Sequence, residues 1–177
     1  MSEEAKKEIL EWIKSILFAV VIAIIIKTFI FNTTYVLGYS MYPTLHEGDR
    51  LFTNKLIYII GEPKRGDIVV LKAPDVPDKD YIKRVVAVEN DEIKIVDGKV
   101  YINGKVLDEY YLKGSLYTHG NIDLKVPEGY VFVLGDNRKL GASKDSRYFG
   151  PVPVKLIKGK AVFRYYPFDS RFGSLYK

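Results

Sequence analysis

A mainly β protein behind a single N-terminal transmembrane helix is predicted by three observations. Ser15 to Ile26 reads SILFAVVIAIII, an uncharged run near the N-terminus. After Asn32 helical periodicity nearly vanishes, and short β-branched and aromatic runs alternate with Gly, Pro and Asp. Two turn signals, Asp97-Gly98 and Asn103-Gly104, follow one another within those runs.

The first element is the apolar segment. Trp12 to Phe31 spans about 20 residues, or ~30 Å as a helix, enough to cross a hydrocarbon core. Lys14 and Lys27 can snorkel from its ends, and Trp12 and Phe31 suit the two interfaces. A cleaved leader fits less well, because no small-x-small site follows: Thr28-Phe29-Ile30 and Phe31-Asn32-Thr33 are too bulky. A buried soluble helix fits less well too, since the run is apolar all round. Lys6, Lys7 and Lys14 favour a cytoplasmic N-terminal segment, 1–11, with everything after the span outside.

Strands are predicted over Arg50–Asn54, Asp67–Lys72, Tyr81–Val88, Glu92–Val96, Lys99–Ile102, Tyr130–Leu134 and Gly159–Tyr166. Asp97-Gly98 joins two of them as a tight hairpin, and Asn103-Gly104 starts the next turn. Pro74, Pro77, Pro127, Pro151 and Pro153 fall in loops. The expected architecture is one antiparallel β domain over 32–177, with a hairpin-rich excursion over about 90–125.

Composition removes several classes of chemistry. The 177 residues include no cysteine, which excludes disulfides, a thiolate nucleophile and Cys-rich metal sites. The two histidines, His46 and His119, sit in no metal-spaced motif, so no metal or cofactor is expected. A His-based triad has little support. Net charge is +5, but Lys and Arg alternate with Asp and Glu, which reads as a solvated surface. No aromatic-basic patch or helix-turn-helix pattern marks a nucleic-acid partner.

One serine and one lysine stand out. Ser40 lies in Gly38-Tyr39-Ser40-Met41-Tyr42-Pro43, just beyond the apolar segment. Lys83 lies inside the strand-like run Tyr81-Ile82-Lys83-Arg84-Val85-Val86. A serine hydroxyl needs a base before it can attack an amide. A lysine serves only when neutral, and burial lowers its pKa. Period-two alternation puts Lys83 on one face with Tyr81 and Val85, and Arg84 on the other. Taken singly, each residue reads as ordinary: a turn serine and a solvent-facing strand lysine.

Their joint context resembles a known family. Gly38 to Leu45 resembles the serine box of bacterial type I signal peptidases, of the Gram-positive kind. Arg65 to Val70 resembles their next strand, and Asp80 to Val86 their lysine box. Gly135-Asp136-Asn137-Arg138, with Ser143 to Gly150, resembles the last box. The resemblance implies a membrane-anchored β domain, related to LexA-like peptidases, that cuts signal peptides from exported preproteins after small residues. It implies Ser40 as nucleophile, Lys83 as general base and the Ser40 N–H as one oxyanion donor. Gly38 stands where some members carry a second donor hydroxyl. The resemblance further implies Ser143 as a support for the lysine amine, and Asp136, Arg138, Asp145 and Arg147 as structural charges. Val36, Met41, Leu45, Tyr81 and Ile82 map to the substrate pocket. Lys139-Leu140-Gly141-Ala142 before Ser143 is two residues longer than the family's usual spacing, and Gly141 lets the extra length bulge. Two rival readings fit less well. A LexA-like self-cleaving protease lacks its DNA-binding domain and its Ala-Gly cleavage site here. A degenerate membrane-anchored binding homologue would have lost Ser40 or Lys83. A monomer is expected.

Overall fold

The structure, a computed structural model, describes residues 3–25, 31–112 and 117–176. Its elements in chain order are helix α1 (Glu3–Ile25), strands β1 (Phe31–Tyr35) and β2 (Arg50–Asn54), and the single-turn helix α2 (Ile57–Ile60). Next come β3 (Ile68–Lys72), β4 (Asp80–Ala87), β5 (Glu92–Val96), β6 (Lys99–Ile102), β7 (Lys105–Val106), β8 (Ile122–Lys125) and β9 (Tyr130–Leu134). The chain closes with α3 (Ser146–Phe149), β10 (Val152–Pro153), the long β11 (Ile157–Tyr166) and β12 (Gly173–Ser174).

Two antiparallel sheets carry the fold. The larger runs β1-β2-β11-β3-β4-β9-β10, with β12 paired to β11. The smaller, β7-β6-β5-β8, is the predicted excursion. Its two tight turns have Asp97 at φ 51°, Gly98 at 75°, Asn103 at 51° and Gly104 at 78°. Paired positive φ values are what a two-residue hairpin requires, because they match the twist of the flanking strands. The expected strands over Arg50–Asn54, Glu92–Val96, Lys99–Ile102 and Tyr130–Leu134 form with those bounds.

Burial follows the alternation on some strands and not on others. β2 and β5 alternate exposed and buried, the mark of a half-covered sheet. β3 and β9 are buried at four consecutive positions, so both of their faces are covered. From Lys83 onward β4 is buried as well. Its Val86 and Ala87 pack with Phe132 and Leu134 against the small sheet's Ile93, Ile95, Val100 and Ile102. A second cluster, of Val36, Met41, Leu45, Leu51, Ile68 and Ala161, lies beneath the loop joining β1 to β2.

The N-terminal prediction needs revision at its end. Phe31, expected at the outer end of the apolar span, instead opens β1 opposite Asn54. Residues 26–30 of the predicted span lie outside the described residues. Apolar continuity through Phe31 hid the change of period, and β1 went unread for that reason. Thr34 and Thr53 share a 2.8 Å hydroxyl contact across β1 and β2. No helix among the described residues is long and apolar enough to cross a membrane. In α1, Trp12, Ile16, Leu17 and Phe18 are nevertheless exposed.

Candidate active site

The loop between β1 and β2 carries Ser40. Buried Val36, Met41 and Leu45 pin it from below. Main-chain bonds pin it from the side: the Val36 N–H to the Asp49 carbonyl at 2.9 Å, and the Leu45 N–H to the Met41 carbonyl at 2.9 Å. Gly38 has φ +78° within this loop. A side chain is strained in that conformation, so the glycine follows from the loop's path and not from an open space alone.

Strand β4 delivers Lys83 to the same place. Lys83 Nζ is 2.8 Å from Ser40 Oγ and donates to the Ile82 carbonyl at 3.0 Å. It also lies 5.1 Å from the Tyr81 ring centroid, on the face shared by alternation. Lys83 is 2% exposed. Burial, which strips water from the ammonium, lowers its pKa to about 8. Asp145 and Asp136 pull the other way and Arg147 reinforces the lowering. Near pH 8 the amine is therefore half neutral, and it can take a proton from the hydroxyl it touches.

The charged residues of the last box pair in a pattern that sequence proximity does not suggest. Asp136 pairs with Arg84, through Nε at 2.8 Å and Nη2 at 2.6 Å, with both side chains buried. Thr44 Oγ1 adds a third bond to Asp136 at 2.5 Å. Arg84 stacks on the Tyr111 ring, 3.9 Å from its centroid. Arg138 turns away to Glu109, to Thr118 Oγ1 at 2.9 Å and to the Gly135 carbonyl at 2.8 Å. Asp145 and Arg147 do pair within their own motif, at 2.8 and 2.7 Å, because Asp145 caps α3. Burial works against the Asp145 charge, but Arg147 and the Gly135 N–H hold its carboxyl below the usual range.

Two expected roles come out differently. Ser143 Oγ has no hydrogen-bond partner within ordinary distance among the described residues, so no bond links it to the Lys83 amine; it is buried against Gly135 and near enough to Asp145 to help keep that carboxyl ionised. A Cβ on Gly135 would collide with Ser143 Oγ and with the Ser40 carbonyl, so this close approach requires glycine. Leu45 does not line the groove; it is fully buried beneath the loop. The longer stretch before Ser143 forms an exposed turn, with Leu140 80% exposed and Gly141 at φ +72°. His46 packs on Tyr42 and His119 on Tyr117, and neither lines the groove.

Ser40 and Lys83 sit in a groove of about 1060 Å³ between the β1 side, with Val36 and Tyr39, and the outer half of β4, with Asp80 to Ile82. Among the described residues the Asp80–Lys83 half of β4 pairs with β3 only, and β1 pairs with β2 only. Both therefore present a strand edge beside Ser40. Arg84, Glu109, Thr44 and Asn137 were missed by sequence reasoning. Asn137 lies within the Gly135–Arg138 motif, whose resemblance assigns it no role. Among the described residues no three His, Cys, Asp or Glu side chains form a group able to hold a metal ion.

A serine hydroxyl in contact with a buried amine, at the floor of a groove edged by two strands, defines a β protein with a serine–lysine pair. The family model described as signal peptidase, peptidase S26, matches residues 9–166, and the chain belongs to that family. It is 44% identical over 175 residues to signal peptidase I S of Bacillus subtilis, covering 93% of this chain and 92% of that protein. It is 40% identical over 181 residues to signal peptidase IB of Staphylococcus aureus, covering 93% of each. A crystal structure of a signal peptidase I from Enterococcus faecalis overlaps 57% of this chain and 97% of its own, at 32% identity and a TM-score of 0.49.

Proposed function

We propose that this protein is a membrane-bound serine endopeptidase that removes N-terminal signal peptides from exported preproteins, with Ser40 as nucleophile and Lys83 as general base. One observation carries the assignment of roles: a 2.8 Å contact between the hydroxyl and the amine of a lysine that is 2% exposed. Neutral Lys83 accepts the Ser40 proton as Oγ bonds to the scissile carbonyl carbon. The carbonyl pair moves onto oxygen, which the Ser40 N–H receives. Collapse breaks the C–N bond, and the leaving amine takes the proton from Lys83. Water then cleaves the ester by the same proton path.

The groove supports an extended substrate lying between the edges of β1 and β4, since both edges offer unpaired backbone groups. Val36, Met41, Tyr81 and Ile82 line it and favour a small residue before the cut. Asp136, Arg138, Asp145 and Arg147 brace the site through ion pairs, and Ser143 fills space against Gly135. The exposed apolar side chains of α1 support an anchor in the bilayer; the proposed arrangement is a monomer with its N-terminus inside and its β domain outside.

Detergent-solubilised protein is expected to cleave a preprotein after an Ala-x-Ala signal. Ser40→Ala and Lys83→Ala should each abolish cleavage while the folded β domain persists by circular dichroism. Full activity in either variant removes the pair from the mechanism.

A further inference from the structure

Both main-chain carbonyls that flank the Ser40 α-carbon accept a bond from one residue, and the Tyr39 carbonyl takes a second from the Tyr42 N–H at 3.1 Å. Asn137 donates its side-chain Nδ2–H to the Tyr39 carbonyl at 3.0 Å. It donates its own backbone N–H to the Ser40 carbonyl at 3.0 Å. The Tyr39–Ser40 peptide bond is trans, since the cis bonds are Tyr42-Pro43 and Tyr166-Pro167. In a trans peptide the N–H points opposite to the preceding C=O. Holding the Tyr39 carbonyl therefore aims the Ser40 N–H in the opposite direction, away from Asn137. Holding the Ser40 carbonyl fixes the next peptide plane, so Ser40 has little freedom in either backbone dihedral.

We propose that Asn137 is a positioning residue that aims the Ser40 N–H at the developing oxyanion, and that its side-chain amide carries this role. The inference rests on the assignment of Ser40 as nucleophile. Asn137 is well placed for such work because its neighbours are fixed. Gly135 abuts the Ser40 carbonyl, and Asp136 is held by Arg84 and Thr44. A loop clamped on both sides of Asn137 presents its amide at a constant place. The clamp also accounts for a strand–loop–strand contact that the pairing of Ser40 with Lys83 leaves unused.

The distinction from a merely structural contact lies in which state of the substrate feels the change. An N–H aimed at the oxyanion strengthens as charge develops and contributes little to the resting complex. Asn137→Ala keeps the backbone N–H to the Ser40 carbonyl, deletes the side-chain bond, and leaves the Tyr39 carbonyl to the Tyr42 N–H alone, which turns it toward its own tight turn. Removing an oxyanion donor outright costs about 10²–10³ in kcat, and misaiming one should cost about 10- to 100-fold. KM should stay within about threefold, and the alkaline midpoint set by Lys83 should not move, because Asn137 carries no charge.

The decisive measurement compares two inhibitors on the full chain in detergent: a signal-like peptide ending in an aldehyde, and the same peptide ending in the alcohol. With the aldehyde, Ser40 Oγ bonds to the carbonyl carbon, the π pair moves to oxygen and the proton passes to Lys83. The alcohol forms no such bond. Asn137→Ala should weaken the aldehyde by about the same factor as kcat and leave the alcohol unchanged. The ratio of the two affinities does not depend on the fraction folded, so a partly unfolded preparation still reports. If the variant yields no folded protein, Asn137→Ser is measured the same way. The inference is overturned if both inhibitors weaken together, or if kcat is unchanged. Ser40→Ala serves as the separate check: if it retains activity, the nucleophile assignment itself has failed.

Discussion

Lys83 is almost wholly buried, and two observables follow from that. The first is the pH dependence of catalysis. With Lys83 as the proposed base the neutral amine is the active form, and its pKa is about 8, so kcat/KM should rise about tenfold per pH unit below that value and level off above it. A flat profile from pH 6 to 9 with chemistry rate-limiting would contradict Lys83 as the base. The second is stability. The unfolded lysine titrates near 10.5 and the folded one near 8. Below pH 8 both states hold the proton, and the native state bears the full cost of burying the charge, on the order of 3 kcal/mol. Between the two values the unfolded chain binds more protons, so native stability rises with pH. Lys83→Met should therefore stabilise the fold at pH 7, and that advantage should fade by pH 10. Urea unfolding at the two pH values measures it, and equal shifts at both would argue that the amine is not desolvated.

Strand β4 does two tasks because its two faces meet different neighbours. Lys83 reaches the Ser40 loop from one face, and from the other Arg84 locks onto Asp136, on the loop that follows β9. That ion pair is enclosed, with side-chain exposures of 3% and 0%. Deleting one partner strands the other charge, and such losses run about 3–5 kcal/mol. Arg84→Met should therefore lower stability by that amount and lower activity as well, since Asp136 adjoins the residue that holds the Ser40 backbone. Lys94 and Asp123 form the contrast: they pair at 3.0 Å with 52% and 73% exposure. Lys94→Ala should cost less than about 1 kcal/mol. Thermal unfolding of the two variants side by side decides it, and similar losses would refute the ranking.

The whole molecule divides into a compact β body and α1, which touches that body little and leaves its apolar side chains exposed. Truncation ahead of Phe31 should leave cleavage of a soluble signal-like peptide within about threefold, and should abolish partition onto lipid vesicles in a flotation assay. Undiminished flotation would place the membrane contact on the β body. Much of that body was legible in the sequence. Turn residues and β-branched runs fix local conformation through sterics, so four strands and both tight turns were readable to the residue. β1 was not, because its phenylalanine continued an apolar run. Ser40 and Lys83 were recognisable through the motifs around them. Alternation also placed Lys83 beside Tyr81 and Arg84 opposite. What the sequence could not contain was the covering of both faces of β4, since burial depends on strands and loops distant along the chain. For the same reason Asp136 chose Arg84 over nearby Arg138, Ser143 packed against Gly135, and Asn137 bonded to the backbone on both sides of Ser40. The sequence by itself determined which groups can react and the local shape of their strands and turns. The tertiary structure alone decided which charges pair, and buried the lysine deeply enough to bring its pKa to about 8, because desolvation and pairing are properties of the packed whole.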